Sequence, residues 1–198
     1  MLFVLALLNF WLSMSSVSGR DVPRRDVLMF ASTRNQLSVL APILKCRSDD
    51  ALLVTTAGGD RVSCYDNRAY SVRLDLLSVI QVILLTVIRL PFLLRDLLKK
   101  NPELIFRRLK SFCSCYFWLI YHQQLLDDVT PKLVIFANDH NPECRALLEL
   151  CKARGIVTIY VPHAAVSKRF HAIDFDHSFL DGHNAVDIYK ACEGRRAP

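Results

Sequence analysis

The hydrophobic pattern of this chain changes rhythm several times, most sharply between residues 132 and 182. Leu133-Val134-Ile135-Phe136-Ala137 is a short, unbroken, β-rich run, the pattern of a parallel strand covered on both faces. Polar Asn138-Asp139-His140-Asn141 ends it. A helical rhythm follows, with Ala146, Leu147, Leu148, Leu150 and Cys151 supplying its apolar face. Asn141 is positioned to cap this helix with its side-chain oxygen, Pro142 suits the first helical position, and Glu143 sits where an acid favours the helix dipole. Lys152 and Arg154 lie in the last turn, and Gly155 can take the left-handed conformation that closes it. A second strand, 156–161, begins at once, which makes one βαβ unit with an expected right-handed crossover. In such sheets ligands sit beyond the carboxyl ends of the strands, a rule that singles out the loops Asn138-Asp139-His140 and 162–169.

Earlier in the chain, residues 26–31 read as a first strand, Ser32-Thr33-Arg34-Asn35 as its loop, and the stretch to about Leu44 as a helix. Residues 51–56 predict a second strand turned by Gly58-Gly59, and 61–73 a third with its loop. From 74 to 100 the pattern is helical and very apolar, and between 82 and 90 only Thr86 and Arg89 interrupt it. At roughly 100° per residue, Asp75, Ser78, Gln81, Thr86, Arg89, Arg95, Asp96, Lys99 and Lys100 share about one half of the circumference, and the other half is apolar. A helix lying on a surface or a core fits that pattern better than one crossing a bilayer, and Pro91 adds a kink or boundary. Residues 102–127 continue helical, basic at the start and aromatic further on through Phe112, Tyr116, Phe117, Trp118 and Tyr121.

These elements predict an α/β protein: a single Rossmann-like three-layer domain over 26–182, with a parallel sheet and a long helical, membrane-facing insertion at 74–128. Residues 1–25 are an apolar segment before it, and 183–198 are expected to be a tail or a truncated interdomain linker. The apolar run 1–14 is not preceded by a cation, and Arg20, Arg24 and Arg25 follow it; the run is also too short to span a bilayer. It reads as a cytoplasm-facing anchor, a helix packed on the domain, or a remnant of a longer upstream sequence.

The length, 198 residues, suits one sizeable core, and 25 basic against 19 acidic residues give a formal charge of +6 that favours anionic partners. Arg89, Arg95, Lys99, Lys100, Arg107, Arg108 and Lys110 crowd one stretch, opposed there only by Asp96 and Glu103. Cations beside an apolar stripe suit anionic lipid head groups; the plainer alternative is a core helix pair with a solvated basic rim. No nucleic-acid module is present, and nucleic acid is not an expected partner. Seven scattered cysteines, an odd number, do not make a disulfide framework, so reduced thiols in a cytosolic setting are expected. Cys113-x-Cys115 lacks the spacer of a zinc or redox pair.

Candidate chemistry concentrates in the two carboxyl-edge loops. His163 directly follows the last strand of the βαβ unit, where an imidazole can act as a general base or bind an anion. Ser167, Lys168 and Arg169 add a hydroxyl and two cations, a composition fit for phosphate or carboxylate contacts. Asp139 and His140 can reach the same crevice, where a carboxylate orients an imidazole. The alternative is that Asn138, Asp139 and Asn141 only cap the helix while His163 fills a polar turn. His171, His177 and His183 recur every six residues, which suits neither one helix face nor a compact zinc site, so no metal is expected. Neither G-x-G-x-x-G nor a P-loop occurs, so neither a standard dinucleotide or ATP site nor any other cofactor is expected.

The runs Val134-Ile135-Phe136-Ala137-Asn138-Asp139-His140-Asn141-Pro142, Gly155-Ile156-Val157-Thr158-Ile159-Tyr160-Val161-Pro162-His163, Ser167 to Phe170, and Phe179-Leu180-Asp181-Gly182 together carry a family resemblance. This stretch resembles the N-terminal domain of bacterial glycosyltransferases of the two-Rossmann, GT-B type, in particular those of capsule, polysialic acid and polyol-phosphate polymer assembly. The likeness covers about fifty residues closely and the first 130 only in general fold. It implies a cleft-facing His163, an acceptor-receiving domain that touches the membrane, and a glycan or lipid-linked acceptor with Asn138, Ser167, Lys168 and Arg169 in substrate contact. Such enzymes bind the nucleotide-sugar donor mainly in a second Rossmann domain, and no second set of strands follows Gly182 here. The expectation is therefore an acceptor-side half-site that transfers a sugar or polyol phosphate only when a nucleotide-sugar-binding partner domain or chain is supplied. It would work in the cytoplasm, peripherally on the inner face of the plasma membrane. The alternatives are a non-catalytic membrane-associated scaffold or binding subunit, and half of a sugar-nucleotide epimerase-like protein.

Overall fold

Val27-Leu28-Met29-Phe30-Ala31 is apolar at every position because it becomes β1 (Val27–Ala31), a strand with both faces covered and all five residues buried. In the computed structural model the described residues are 23–46, 50–56, 68–71, 102–165 and 174–193, together with 80, 84, 87, 88, 91, 92, 95 and 99. β1 pairs in parallel with β2 (Ala51–Thr55), Val27 opposite Ala51, and on its other side with β4 (Leu133–Phe136), Val27 opposite Leu133. β3 (Ala69–Ser71) extends the sheet beyond β2, while β5 (Val157–Tyr160) and β6 (His177–Ser178) extend it beyond β4. The six strands run in the order β3-β2-β1-β4-β5-β6, every pairing parallel. This is the strand order of a doubly wound Rossmann-like sheet, and its direction of winding reverses between β1 and β4.

Successive strand residues point to opposite faces, so each strand feeds two cores. On one face, Val27, Met29 and Ala31 meet Leu53 of β2, Ile135 of β4 and the inner side of α1 (Arg34–Cys46), through Leu37, Leu40 and Leu44. On the other, Leu28 and Phe30 meet Leu52, Val54, Val134 and Phe136 beneath α2 (Pro102–Val129) and α3 (Pro142–Ala153). Three layers result, the Rossmann-like α/β arrangement with a parallel sheet that the sequence predicts for the domain.

Two segments differ from expectation. Residues 102–128 belong to the expected insertion, yet α2 is a layer of the domain itself: Phe117, Trp118, Ile120, Tyr121, Leu125, Leu126 and Val129 are all buried in the core. Its aromatic rhythm marks the crossover helix that carries the chain from the β3 edge to the sheet centre. Residues 183–198, expected to be a tail or linker, include most of α4 (Gly182–Glu193), whose Ala185, Tyr189 and Cys192 are buried. Their i, i+4, i+7 spacing gives that helix one inward face.

The described positions between 80 and 99 are helical and exposed. Ile80, Leu84 and Val87 belong to the apolar half of the predicted wheel, so part of that half faces solvent instead of the core. Of the predicted lipid-facing cations, Arg95 and Lys99 are exposed on this stretch. Arg89 and Lys100 lie outside the described residues, as do the side chains of Arg107, Arg108 and Lys110 at the start of α2. No helix among the described residues is long and apolar enough to cross a membrane.

Candidate functional site

The winding reverses between β1 and β4, the place where doubly wound sheets bind ligands beyond the strands' carboxyl ends, and the loops that leave the two strands lie side by side there. From β1 come Ser32 and Thr33, which lead into α1. Gln36 folds back so that its Oε1 accepts from the Ser32 amide at 2.6 Å and from Ser32 Oγ at 3.1 Å, while the Gln36 amide points to Thr33 Oγ1 at 3.4 Å. The sequence Thr33-x-x-Gln36 thus works as a capping-box variant. From β4 comes Asn138, whose Oδ1 accepts from the amides of His140 and Asn141, both at 2.9 Å. Asn138 is buried, and this Asx-type turn aims the residues that follow.

Asn141 occupies the N-cap of α3 with an extended backbone, but its side chain makes no capping hydrogen bond. Instead its Nδ2 donates to Ser32 Oγ at 3.2 Å, which ties the two loops together. Sequence reasoning finds the cap position and misses the partner, because Ser32 is 109 residues away.

The chemistry of this edge centres on Asp139. Its Oδ1 lies 2.9 Å from His140 Nδ1 and its Oδ2 accepts from the Tyr189 phenol at 3.0 Å. The Asp139 side chain is only 7% exposed and that of His140 is 42% exposed, so a buried carboxylate holds an accessible imidazole. With Nδ1–H given to Asp139, the lone pair of the neutral ring falls on Nε2. The Tyr189 hydroxyl lies 3.3 Å from that of Tyr160, whose ring stacks on Phe175. Burial is the first cause that raises both phenols; Tyr160 is pushed up to about 12 and Tyr189 further, so each keeps its proton.

His163, one loop further along the sheet edge, is half-buried, and its Nδ1 meets the Ala137 carbonyl at the end of β4. The carbonyl accepts, so Nδ1 carries the proton and Nε2 the lone pair of the neutral ring. The sequence-derived residues Asn138, Asp139, His140 and His163 therefore share one edge of the sheet. Ser167, Lys168 and Arg169, like His171, lie outside the described residues.

Cys144 sits under the same loops and is not a nucleophile in this state: burial pushes its thiol well above the ordinary range. Deeper still, His122 is fully buried, stacked on Trp118, with Phe30 and Tyr121 edge-on. Its Nε2 donates to the Glu143 carbonyl at 3.0 Å, Nδ1 has no partner, and burial lowers its pKa to about 3. Among the described residues no group of three or more His, Cys, Asp or Glu side chains is arranged to hold a metal ion.

Sequence reasoning passed over Ser32, Gln36, His122, Tyr160 and Tyr189. The capping-box spacing marks Gln36, and the Ala185, Tyr189, Cys192 spacing marks Tyr189. Nothing local distinguishes His122 from its apolar neighbours. No protein-family model matches the chain, and no curated protein matches it in sequence.

Proposed function

We propose that this domain is the acceptor-binding half of a glycosyltransferase-like site of surface-polysaccharide synthesis, with a nucleotide-sugar-binding half supplied by a separate domain or chain. The observation that carries the reading is the Asp139–His140 pair at the sheet's carboxyl edge: a buried carboxylate, itself held by Tyr189, orienting an exposed imidazole. Base and orienter at hydrogen-bond distance are what removal of a hydroxyl proton requires. The acceptor hydroxyl oxygen attacks the activated carbon or phosphorus of the donor, its proton passes to His140 Nε2, and the bond to the nucleotide phosphate breaks with its electron pair leaving on the nucleotide. His163, pinned through Nδ1 to the Ala137 carbonyl, offers Nε2 to the acceptor or to a phosphate. Lys168 and Arg169 supply charge for anionic groups. The same reading gives the domain a peripheral position on the inner face of the plasma membrane, where a lipid-linked acceptor is met.

The test combines the chain with candidate nucleotide-binding partners and follows sugar transfer. H140A is expected to lower transfer by about 10²–10⁴-fold, the usual worth of a general base. Unchanged transfer in both H140A and H163A sinks the base assignment. The exposed apolar residues of the 80–99 stretch favour a second reading, a membrane-recruiting scaffold without catalysis. Membrane recruitment without transfer in any pairing would select it.

A further inference from the structure

We infer that the exposed side of the helical residues between positions 80 and 99 is an insertion face for an anionic lipid bilayer. Ile80, Leu84, Val87, Ile88 and Phe92 are 51%, 57%, 52%, 53% and 68% exposed. Pro91, Arg95 and Lys99 are exposed and helical with them. On a wheel of 100° per residue these eight positions fall within an arc of about 140°, the placement of one helix face. Large apolar side chains gathered in a stripe mark a surface that another phase or molecule covers.

The charge on the stripe selects the occupant. Arg95 and Lys99 continue it about one and two turns beyond Phe92, so one face carries apolar side chains at one end and cations at the other. That arrangement suits a helix lying in the interfacial plane, its apolar side chains among the acyl chains and its cations on lipid phosphates and carboxylates. A second copy of the chain fits poorly: parallel pairing of two such faces brings like cations together, antiparallel pairing lays Arg95 and Lys99 on the partner's apolar end, and the face offers no acid among its described positions. The formal charge of +6 works in the same direction. This inference rests on the peripheral-membrane part of the proposed function and not on the transfer chemistry.

The experiment floats the full chain with vesicles of phosphatidylcholine containing about 30% phosphatidylserine, an anionic surface that attracts basic segments. L84E/F92E is expected to weaken partition by about tenfold or more at any salt, because it places charge in the apolar layer. R95E/K99E is expected to weaken it by about tenfold or more at low salt, with little difference remaining at high salt. Circular dichroism of each variant checks folding. F92W, read as bromolipid quenching in excess of that of the unsubstituted chain, reports insertion without adding charge. Equal vesicle binding by the unsubstituted chain and L84E/F92E overturns the inference. So does a dimer that L84E/F92E dissolves while vesicles bind neither protein. H140A, which lies outside the stripe, is expected to bind vesicles normally, and vesicle binding by the unsubstituted chain without transfer in any pairing removes only the chemistry. Transfer to a soluble acceptor by an unsubstituted chain that does not bind vesicles removes only the insertion face.

Discussion

Tyr189 donates its phenol proton to Asp139 Oδ2 at 3.0 Å, so a helix 50 residues further along the chain fixes the carboxylate that orients His140. Without that donor, one oxygen of a nearly buried carboxylate loses its partner. Y189F keeps the ring and its edge-on contact with Tyr160 and removes only the hydroxyl. Hydrogen bonds to buried charged groups contribute about 1.5–3 kcal/mol, so urea denaturation is expected to show a loss in that range. The α4 amides should also exchange faster, since the anchor of that helix is gone. A stability change under about 0.5 kcal/mol, the ordinary effect of a surface substitution, would mean that Tyr189 only packs.

Asp139→Asn tests orientation separately from stability. The amide oxygen can still accept from one neighbour, but it lacks the charge, and its nitrogen can turn toward His140 Nδ1 and reverse the tautomer. Imidazole ¹⁵N shifts should therefore show a smaller Nδ1–H population at His140, with His163 unchanged because the Ala137 carbonyl holds it. Identical ¹⁵N shifts at His140 in the two proteins would show that the carboxylate does not set the tautomer.

The central strands were readable because a parallel strand buried on both faces has an unbroken apolar run, and Leu133-Val134-Ile135-Phe136 has nothing else to be. The carboxyl-edge rule points to the loops that hold Asp139, His140 and His163, whose hydrogen bonds tie them to that edge of the sheet. Long-range relations were beyond reach. Asn141 reads as a helix cap, and it is one by position, yet its side chain is spent on Ser32 of the neighbouring loop. Residues 102–128 read as an amphipathic insertion because a crossover helix and a surface helix share a period, and only the burial of Trp118 and Leu126 separates them. The last helix lies in residues that read as a tail or a linker because its inward face is built from Ala185, Tyr189 and Cys192, which carry little apolar signal one at a time.

Gly155 closes α3 at φ +67°, a conformation that costs an L side chain. A Cβ there would meet no atom within 4 Å, so the penalty of Gly155→Ala is the backbone's alone. Left-handed backbone costs roughly 1–2 kcal/mol and the stiffer unfolded chain offsets about 0.4–1 kcal/mol of it. The expected net loss is about 1 kcal/mol, seen as a fall in Tm of about 2–4 °C for a chain of this size. Gly155→Asn should lose less, because asparagine tolerates this region. Equal losses for Ala and Asn would point to a cause other than backbone conformation.

His122 makes the fold sensitive to acid. Burial among Trp118, Phe30 and Tyr121 lowers its pKa from 6.5 to about 3, so the folded protein holds the ring neutral with Nε2–H on the Glu143 carbonyl. Between these values the unfolded chain binds a proton that the folded chain refuses. Stability contributed in this way is complete above about pH 6.5 and falls as the pH drops toward 3. From pH 7 to pH 5 the loss assigned to this one group is about 2 kcal/mol. In H122F the ring stack survives and the titrating nitrogen is gone. Urea midpoints at pH 7 and pH 5 should therefore differ less for H122F than for the unsubstituted chain, by about 2 kcal/mol once converted to free energy. The other histidines are common to both proteins and cancel in that difference. If the two proteins lose stability equally over this window, another group carries the acid sensitivity and the His122 ring is not held neutral by its burial.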